Sequence, residues 1–205
     1  MRIIAGLGNP GEKYRQTPHN VGFDVVEALE ARWSCKLKRS LRFRARICRT
    51  SFGGQDVMLV QPATFMNLSG EAVAPLMRYY NVPPADLIVV VDDADLDLGR
   101  IRIRASGSSG GHKGLESSIG ATGSRDFPRV RMGIGRDAQG SDLVDHVLGR
   151  FRGSELELAD RMVERAGDAV MCVLEKGLEM AMNEFNAKNA NEDEKSMKVT
   201  GGKLC

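Results

Sequence analysis

The chain has 205 residues, 42% of them hydrophobic and 27% charged, with a net charge of only +2. That composition suits one folded domain and excludes a highly charged, core-poor disordered chain, and no run approaches the roughly 18 apolar residues of a membrane span. Cys35, Cys48, Cys172 and Cys205 are far apart and form no C-x-x-C pair, which reads as free thiols in a reducing compartment rather than a disulfide framework or structural zinc site.

Arg2 to Ala5 is a short apolar strand, and no signal or transit peptide precedes it, so a cytoplasmic protein is expected. It runs into a glycine loop, Gly6-Leu7-Gly8-Asn9-Pro10-Gly11. Thr17 as a cap and Pro18 at the first helical position predict a helix that runs to Trp33, with a broad buried face of Val21, Phe23, Val25, Val26, Ala28 and Leu29. His19 then falls in the first turn, where the positive end of the helix dipole disfavours an imidazolium. A histidine neutral near pH 7 is a usable general base.

Leu41 to Thr50 alternates, with Leu41, Phe43, Ala45 and Ile47 against Arg42, Arg44, Arg46 and Cys48, as in a half-buried strand with a basic outer face. Gly53-Gly54 turns it into a second strand, Val57 to Val60, to make a hairpin. Ser69 to Tyr80 is helical. Leu87 to Val91 is a continuous apolar run ending in Asp92-Asp93, the mark of a central strand covered on both faces. Arg100 to Arg104 alternates with Ile101 and Ile103 inward, Ser106 to Gly111 is a glycine/serine loop before a short helix, and Val130 to Ile134 is a further strand. His146 lies in an amphipathic stretch and reads as structural. Glu155 to Phe185 is a long helical pattern interrupted near Gly177. Beyond about Asn186 the chain is polar and aperiodic, so residues 187–205 are expected to be a disordered tail on a domain of residues 1–186.

The expected fold is therefore α/β, a single domain with a twisted mixed β-sheet and helices on both faces. Sites in such folds gather at the carboxyl ends of central strands. Asn9 follows the first strand and Asp92 ends the most apolar one, so both are expected to face one crevice with His19. Asp92 can accept the second ring N–H of an imidazole and fix its tautomer. Asp93, Asp95 and Asp97 read as turn chemistry, because their spacing is not that of a calcium loop.

Five segments carry a resemblance. Gly8-Asn9-Pro10-Gly11 with Tyr14 and Thr17-Pro18-His19-Asn20-Val21-Gly22-Phe23 is similar to the N-terminal signature of bacterial-type peptidyl-tRNA hydrolases. Gln61-Pro62-Ala63-Thr64-Phe65-Met66-Asn67-Leu68-Ser69-Gly70, the acidic end of the strand at Asp92-Asp93, Gly110-Gly111-His112-Lys113-Gly114 and Phe127 to Gly135 resemble the family's remaining motifs, in order. The resemblance implies a phosphorylase/hydrolase-like fold and cleavage of the ester between a peptide and the 3′-terminal ribose of tRNA. It implies no metal and no cofactor, with His19 and Asp92 catalytic. It implies substrate or tRNA contacts at Asn9, Tyr14, Phe65, Asn67, His112, Lys113 and Arg131. No G-x-S-x-G nucleophile motif is present, which favours direct attack by water. A monomer acting on peptidyl-tRNA, with no membrane partner, is expected.

Other readings stand beside these. Asn67 can be a helix N-cap, the glycine-rich loop around His112 can hold a phosphate on its amides or move as a lid, and Arg131 alternates with core residues and faces away from them. Basic runs at Lys36, Lys38, Arg39, Arg42, Arg44, Arg46 and Arg49, at Arg100, Arg102 and Arg104, and at Lys113, Arg125, Arg129, Arg131 and Arg136 suit a phosphate backbone. Lys113 stands where the family often has Asn, and Pro18 where it often has Arg. The rival function is a catalytically weak RNA-binding module on the same scaffold. A nucleotide-binding oxidoreductase, suggested by Gly6-x-Gly8-x-x-Gly11, is disfavoured by Pro10 and by the lack of a helix starting there.

Overall fold

The structure is a computed structural model and describes residues 1–136 and 147–187; most of the expected tail, Cys205 and His146 lie outside the described residues. Seven strands form one sheet: β1 Arg2–Gly6, β2 Lys38–Ser40, β3 Ala45–Phe52, β4 Gln55–Pro62, β5 Leu87–Asp93, β6 Ile101–Arg104 and β7 Arg129–Gly133. Their order is β2-β3-β4-β1-β5-β7-β6. The four central strands run parallel, and both edges are antiparallel. The helices are α1 Val21–Arg32, α2 Gly70–Tyr79, α3 Lys113–Thr122, α4 Ser154–Lys176 and α5 Leu178–Asn186.

Period-two alternation sorts the central strands between two cores. Ile4, Leu59, Ile88 and Val90 pack with Val25, Leu29, Ala166 and Val170, so α1 and α4 cover that face. Ile3, Ala5, Val60, Val89 and Val91 pack with Val73, Leu76 and Leu115, so α2 and α3 cover the other. Every residue of β5 is buried, as its apolar run requires. Gly177, at φ +87°, breaks α4 from α5 where a break was expected. The Asn186 side chain bonds both the N–H and the C=O of Ile103, at 2.7 and 3.0 Å, so the last helix seals the β6 edge.

Three local expectations are corrected. The basic strand is interrupted: residues 41–44 turn, with Arg44 at φ +49° and its carbonyl held by the Ala63 N–H at 2.7 Å. Leu41, expected inward, is 76% exposed, while Cys48, expected outward, is buried in the α1/α4 core. The first helix begins at Val21, not at Pro18. Pro18–Asn20 forms a separate 3-10 turn, and the Thr17 hydroxyl makes no cap; it donates to the Tyr14 carbonyl at 2.7 Å.

α1 approaches the sheet unusually closely, through two glycines. A Cβ on Gly22 would meet the carbonyl oxygens of Leu7 and Val90 at 2.5 Å, and one on Gly6 would meet the Gly22 carbonyl oxygen at 1.9 Å. The Leu7 N–H donates to the same Val90 carbonyl at 3.0 Å. Thus β1, β5 and α1 cross at one point, just below the chain segment that carries His19.

Candidate active site

At that crossing the carboxyl ends of β1 and β5 open into a cleft of about 590 Å³ that holds Asn9, His19, Asn67, Asp92, His112, Lys113 and Arg131. Asn9 is fixed from three sides. Its backbone N–H donates to Asn20 Oδ1 at 2.8 Å, its C=O accepts from Asn20 Nδ2 at 3.0 Å, and its own Oδ1 accepts from the Met66 N–H at 2.8 Å. With that oxygen engaged, what Asn9 has to offer the cleft is its NH₂ donor pair. Asn20 is a supporting residue that the sequence did not single out, although it stands directly after His19 in the motif.

His19 is the middle residue of the 3-10 turn Pro18–Asn20, with a side chain 13% exposed. Its Nδ1 lies 2.9 and 3.0 Å from the two carboxylate oxygens of Asp92. An ionised carboxylate only accepts, so Nδ1 carries the proton and Nε2 is left bare. The helix dipole does not govern His19: the residue precedes α1 rather than lying in its first turn, and its partner is a buried carboxylate.

Asp92 has a second partner, which the sequence reading missed. His112 Nε2 lies 3.0 Å from Asp92 Oδ1. On its other side, His112 Nδ1 accepts from the N–H groups of Gly114 and Leu115 at 3.1 and 3.2 Å, so the imidazole is the N-cap of α3. Two donors facing Nδ1 put the ring proton on Nε2, aimed at Asp92. The loop reading is corrected accordingly: those amides are spent on His112 and are not a phosphate cradle, and the residue is held, not hung on a lid. The cap position holds an imidazole in place of the usual short polar residue, which is why His112 read as part of the loop. Burial on its own would drive the Asp92 carboxyl up; the electrostatic attraction and hydrogen bond of the His112 ring N–H, and then those of His19, overcome it and hold the group well below the usual carboxylate range.

His19, Asp92 and His112 also bring one ligand-type atom each within 4.8 Å of one another. Metal ligation by His112 Nε2 would need the proton on Nδ1, against the two α3 amides, so the arrangement favours a hydrogen-bonded relay over a metal centre.

Asn67 lies exposed at the rim in the 3-10 turn Met66–Leu68 and caps no helix. Phe65, 54% exposed, stands beside it on the wall. Lys113 is on the rim and pairs with Glu116 at 3.1 Å. Arg131, expected to face solvent, is half-buried; its Nε is 2.7 Å from Asp93 Oδ2, in a charge contact without hydrogen-bond alignment. Tyr14 is not brought to the cleft: it lies in the loop, with Lys13 Nζ 4.7 Å from its ring centroid. Arg129 is not on the surface at all. It is 2% exposed and donates to the carbonyls of Gly107, Ser108 and Arg125, because β7 is covered on both faces.

The sequence profile described as Peptidyl-tRNA hydrolase matches residues 3–194. A peptidyl-tRNA hydrolase of Caldanaerobacter subterraneus subsp. tengcongensis is 51% identical over 186 residues, covering 91% of this chain and 100% of that protein. One from Geobacillus kaustophilus is 47% identical with the same coverage. The crystal structure of peptidyl-tRNA hydrolase from Acinetobacter baumannii superposes with a TM-score of 0.87 at 35% identity, covering 92% of this chain and 96% of that one.

Proposed function

The chain belongs to the peptidyl-tRNA hydrolase family, and we propose that it frees peptide from tRNA by means of a water that His19 deprotonates. It is an ester hydrolase: peptidyl-tRNA is split into a peptide and a tRNA that returns to translation. The observation that carries the mechanism is the contact of His19 Nδ1 with both oxygens of Asp92, at 2.9 and 3.0 Å. It leaves Nε2 free to take the water proton as oxygen attacks the ester carbonyl. Asp92 stabilises the imidazolium that forms, and His112 holds Asp92 in place. The NH₂ groups of Asn9 and Asn67 suit the developing oxyanion. When the tetrahedral intermediate collapses, imidazolium Nε2–H returns its proton to the departing ribose 3′-oxygen.

The exposed cations Lys36, Lys38 and Arg39 flank one edge of the sheet, and Arg100, Arg102 and Arg104 the other. They suit the phosphate backbone better than Arg44 and Arg49, which pair with Glu71 and Asp56. No described helix is long and apolar enough to cross a membrane. We take the enzyme to be a cytoplasmic monomer, which light scattering and cell fractionation test.

The test of the mechanism is release of peptide from N-acetyl-aminoacyl-tRNA. His19→Ala should abolish release while tRNA binding persists, and release by the wild type should fall steeply with salt. Wild-type turnover in the variant removes His19 from its role; a flat salt response removes the tRNA surface. Binding without release by the wild type would favour the RNA-binding module instead.

A further inference from the structure

Among the described residues no carboxylate meets the guanidinium of Arg129, although the residue is almost wholly buried. It stands opposite Arg104 across the β6–β7 ladder, with Arg131 two residues further along β7. Like charges opposed across a ladder repel, and both burial and Arg131 work against the protonated form. Its Nε has no hydrogen-bond partner among the described residues. An unpaired buried cation costs stability that an apolar residue of similar length would not. Its return lies in what the other nitrogens hold. Nη1 donates to the carbonyls of Gly107 and Ser108 at 2.9 and 3.0 Å, and Nη2 to that of Arg125 at 2.9 Å. Behind them the guanidinium carbon lies 4.6 Å from the centroid of the Phe127 ring, which is fully buried in the α2/α3 core.

The loop at 105–111 has little else to fix it. Gly107, Gly110 and Gly111 all take positive φ, and glycine backbone loses the most freedom on ordering. Among the described residues, the loop's other hydrogen bond to the body of the protein is from the Gly107 N–H to the Arg125 carbonyl, at 3.4 Å. The remainder stay within 109–112. Yet Ser109, Gly110 and Gly111 form a wall of the catalytic cleft. His112, at the end of the loop, has separate supports in Asp92 and the α3 amides. We propose that Arg129 is a positioning residue: through the Gly107 and Ser108 carbonyls it holds the Ser109–Gly111 wall in place, and so sets the affinity for substrate without touching it. The proposal rests on the peptidyl-tRNA reading above. An unpinned wall has to be ordered by each substrate that binds, so the loss falls on binding. His19, Asp92 and His112 keep their own supports, so turnover of bound substrate is spared. The task needs the planar fork, because the ammonium of a lysine cannot span carbonyls from two segments.

The test is steady-state release of peptide from N-acetylalanyl-tRNA, with Tm as the check on folding. Arg129→Met fills much of the same space, and the carbonyls it frees belong to exposed residues and can turn to water, so the variant should fold. Arg129→Met and Arg129→Lys should each raise KM about ten- to a hundredfold, with kcat within about threefold of wild type. In Arg129→Ala, added ethylguanidinium replaces the missing group and should bring KM back towards wild type, whereas propylammonium at the same concentration should not. A merely structural arginine would instead lower Tm and the active fraction, and with it the apparent kcat, at unchanged KM. That outcome overturns the assignment, as does a wild-type KM in Arg129→Lys or an equal effect of the two added cations. If Arg129→Met fails to fold, Arg129→Lys decides. No release of peptide by the wild type would instead overturn the hydrolase reading on which the proposal rests.

Discussion

Asp92→Asn should cost far more than its size suggests. The carboxylate accepts from His19 at 2.9 and 3.0 Å and from His112 at 3.0 Å. An asparagine offers one acceptor and one NH₂ in the same space. His112 has no freedom to adapt, because the α3 amides already occupy its Nδ1. The amide oxygen therefore turns to His112 and the NH₂ to His19, whose proton must move from Nδ1 to Nε2. That is the nitrogen required bare for the water. The imidazolium also loses its buried counter-charge. The analogous exchange in a histidine–aspartate pair costs about a thousand- to ten-thousandfold in rate, or about 4–5.5 kcal/mol of barrier. Single-turnover peptide release from N-acetyl-aminoacyl-tRNA between pH 5 and 9 measures it, with the loss expected in kcat and not in KM. A rate within about threefold of wild type, with the same pH profile, would refute the pairing.

Three further changes test other parts of the account. His112→Asn keeps a residue able to cap α3 but removes the reach to Asp92, so kcat should fall at least tenfold with stability within about 1 kcal/mol of wild type; unchanged kcat would leave His112 a cap and nothing more. Gly22→Ala puts a methyl 2.5 Å from the Leu7 and Val90 carbonyl oxygens and should cost about 3 kcal/mol, read as a Tm about 6–12 °C lower; an unchanged Tm would mean the crossing can yield. Asp24, on α1, has its carboxyl pushed up to about 7 by burial, then by Glu27 and Asp160, with Arg15 opposing, against 3.8 for the free group. The native state keeps a proton that the unfolded chain has lost, so this stability is complete below about pH 4 and drains away as pH rises through 7. Asp24→Asn should therefore gain about 3 kcal/mol on wild type between pH 4 and pH 8 in urea unfolding; an equal difference at both pH values would contradict it.

The sequence carried the meeting of His19 with Asp92 well, because what brings them together is position relative to the strands. An apolar run that stops at two aspartates has to end at the crevice, and a loop after β1 has to face it. It did less well where a pattern ran through a change of structure. Leu41 to Ile47 alternates without a break, yet the chain turns at 41–44, since the turn is made by Arg44 at positive φ and by the Ala63 N–H, neither visible as a change of period. Arg129 stood in a basic run with the exposed Arg125 and Arg136, and only the covering of β7 on both faces shows that its charge is inward. His112 was legible as a site residue but not as the brace of Asp92, because capping by an imidazole leaves no compositional trace.

The crossing of β1, β5 and α1 also has a bearing on when the enzyme becomes active. His19 and Asp92 are 73 residues apart in the chain, and their segments are joined by a parallel ladder in which Ile3 faces Leu87. A ladder of that span must wait for a long loop to close, whereas the helices need only local contacts. α1 in turn packs in the same core as Ala166 and Val170 of α4, near the far end of the chain. Ester cleavage regained during refolding should thus lag helix formation, and a chain still emerging from the ribosome would carry both His19 and Asp92 well before it could cleave anything.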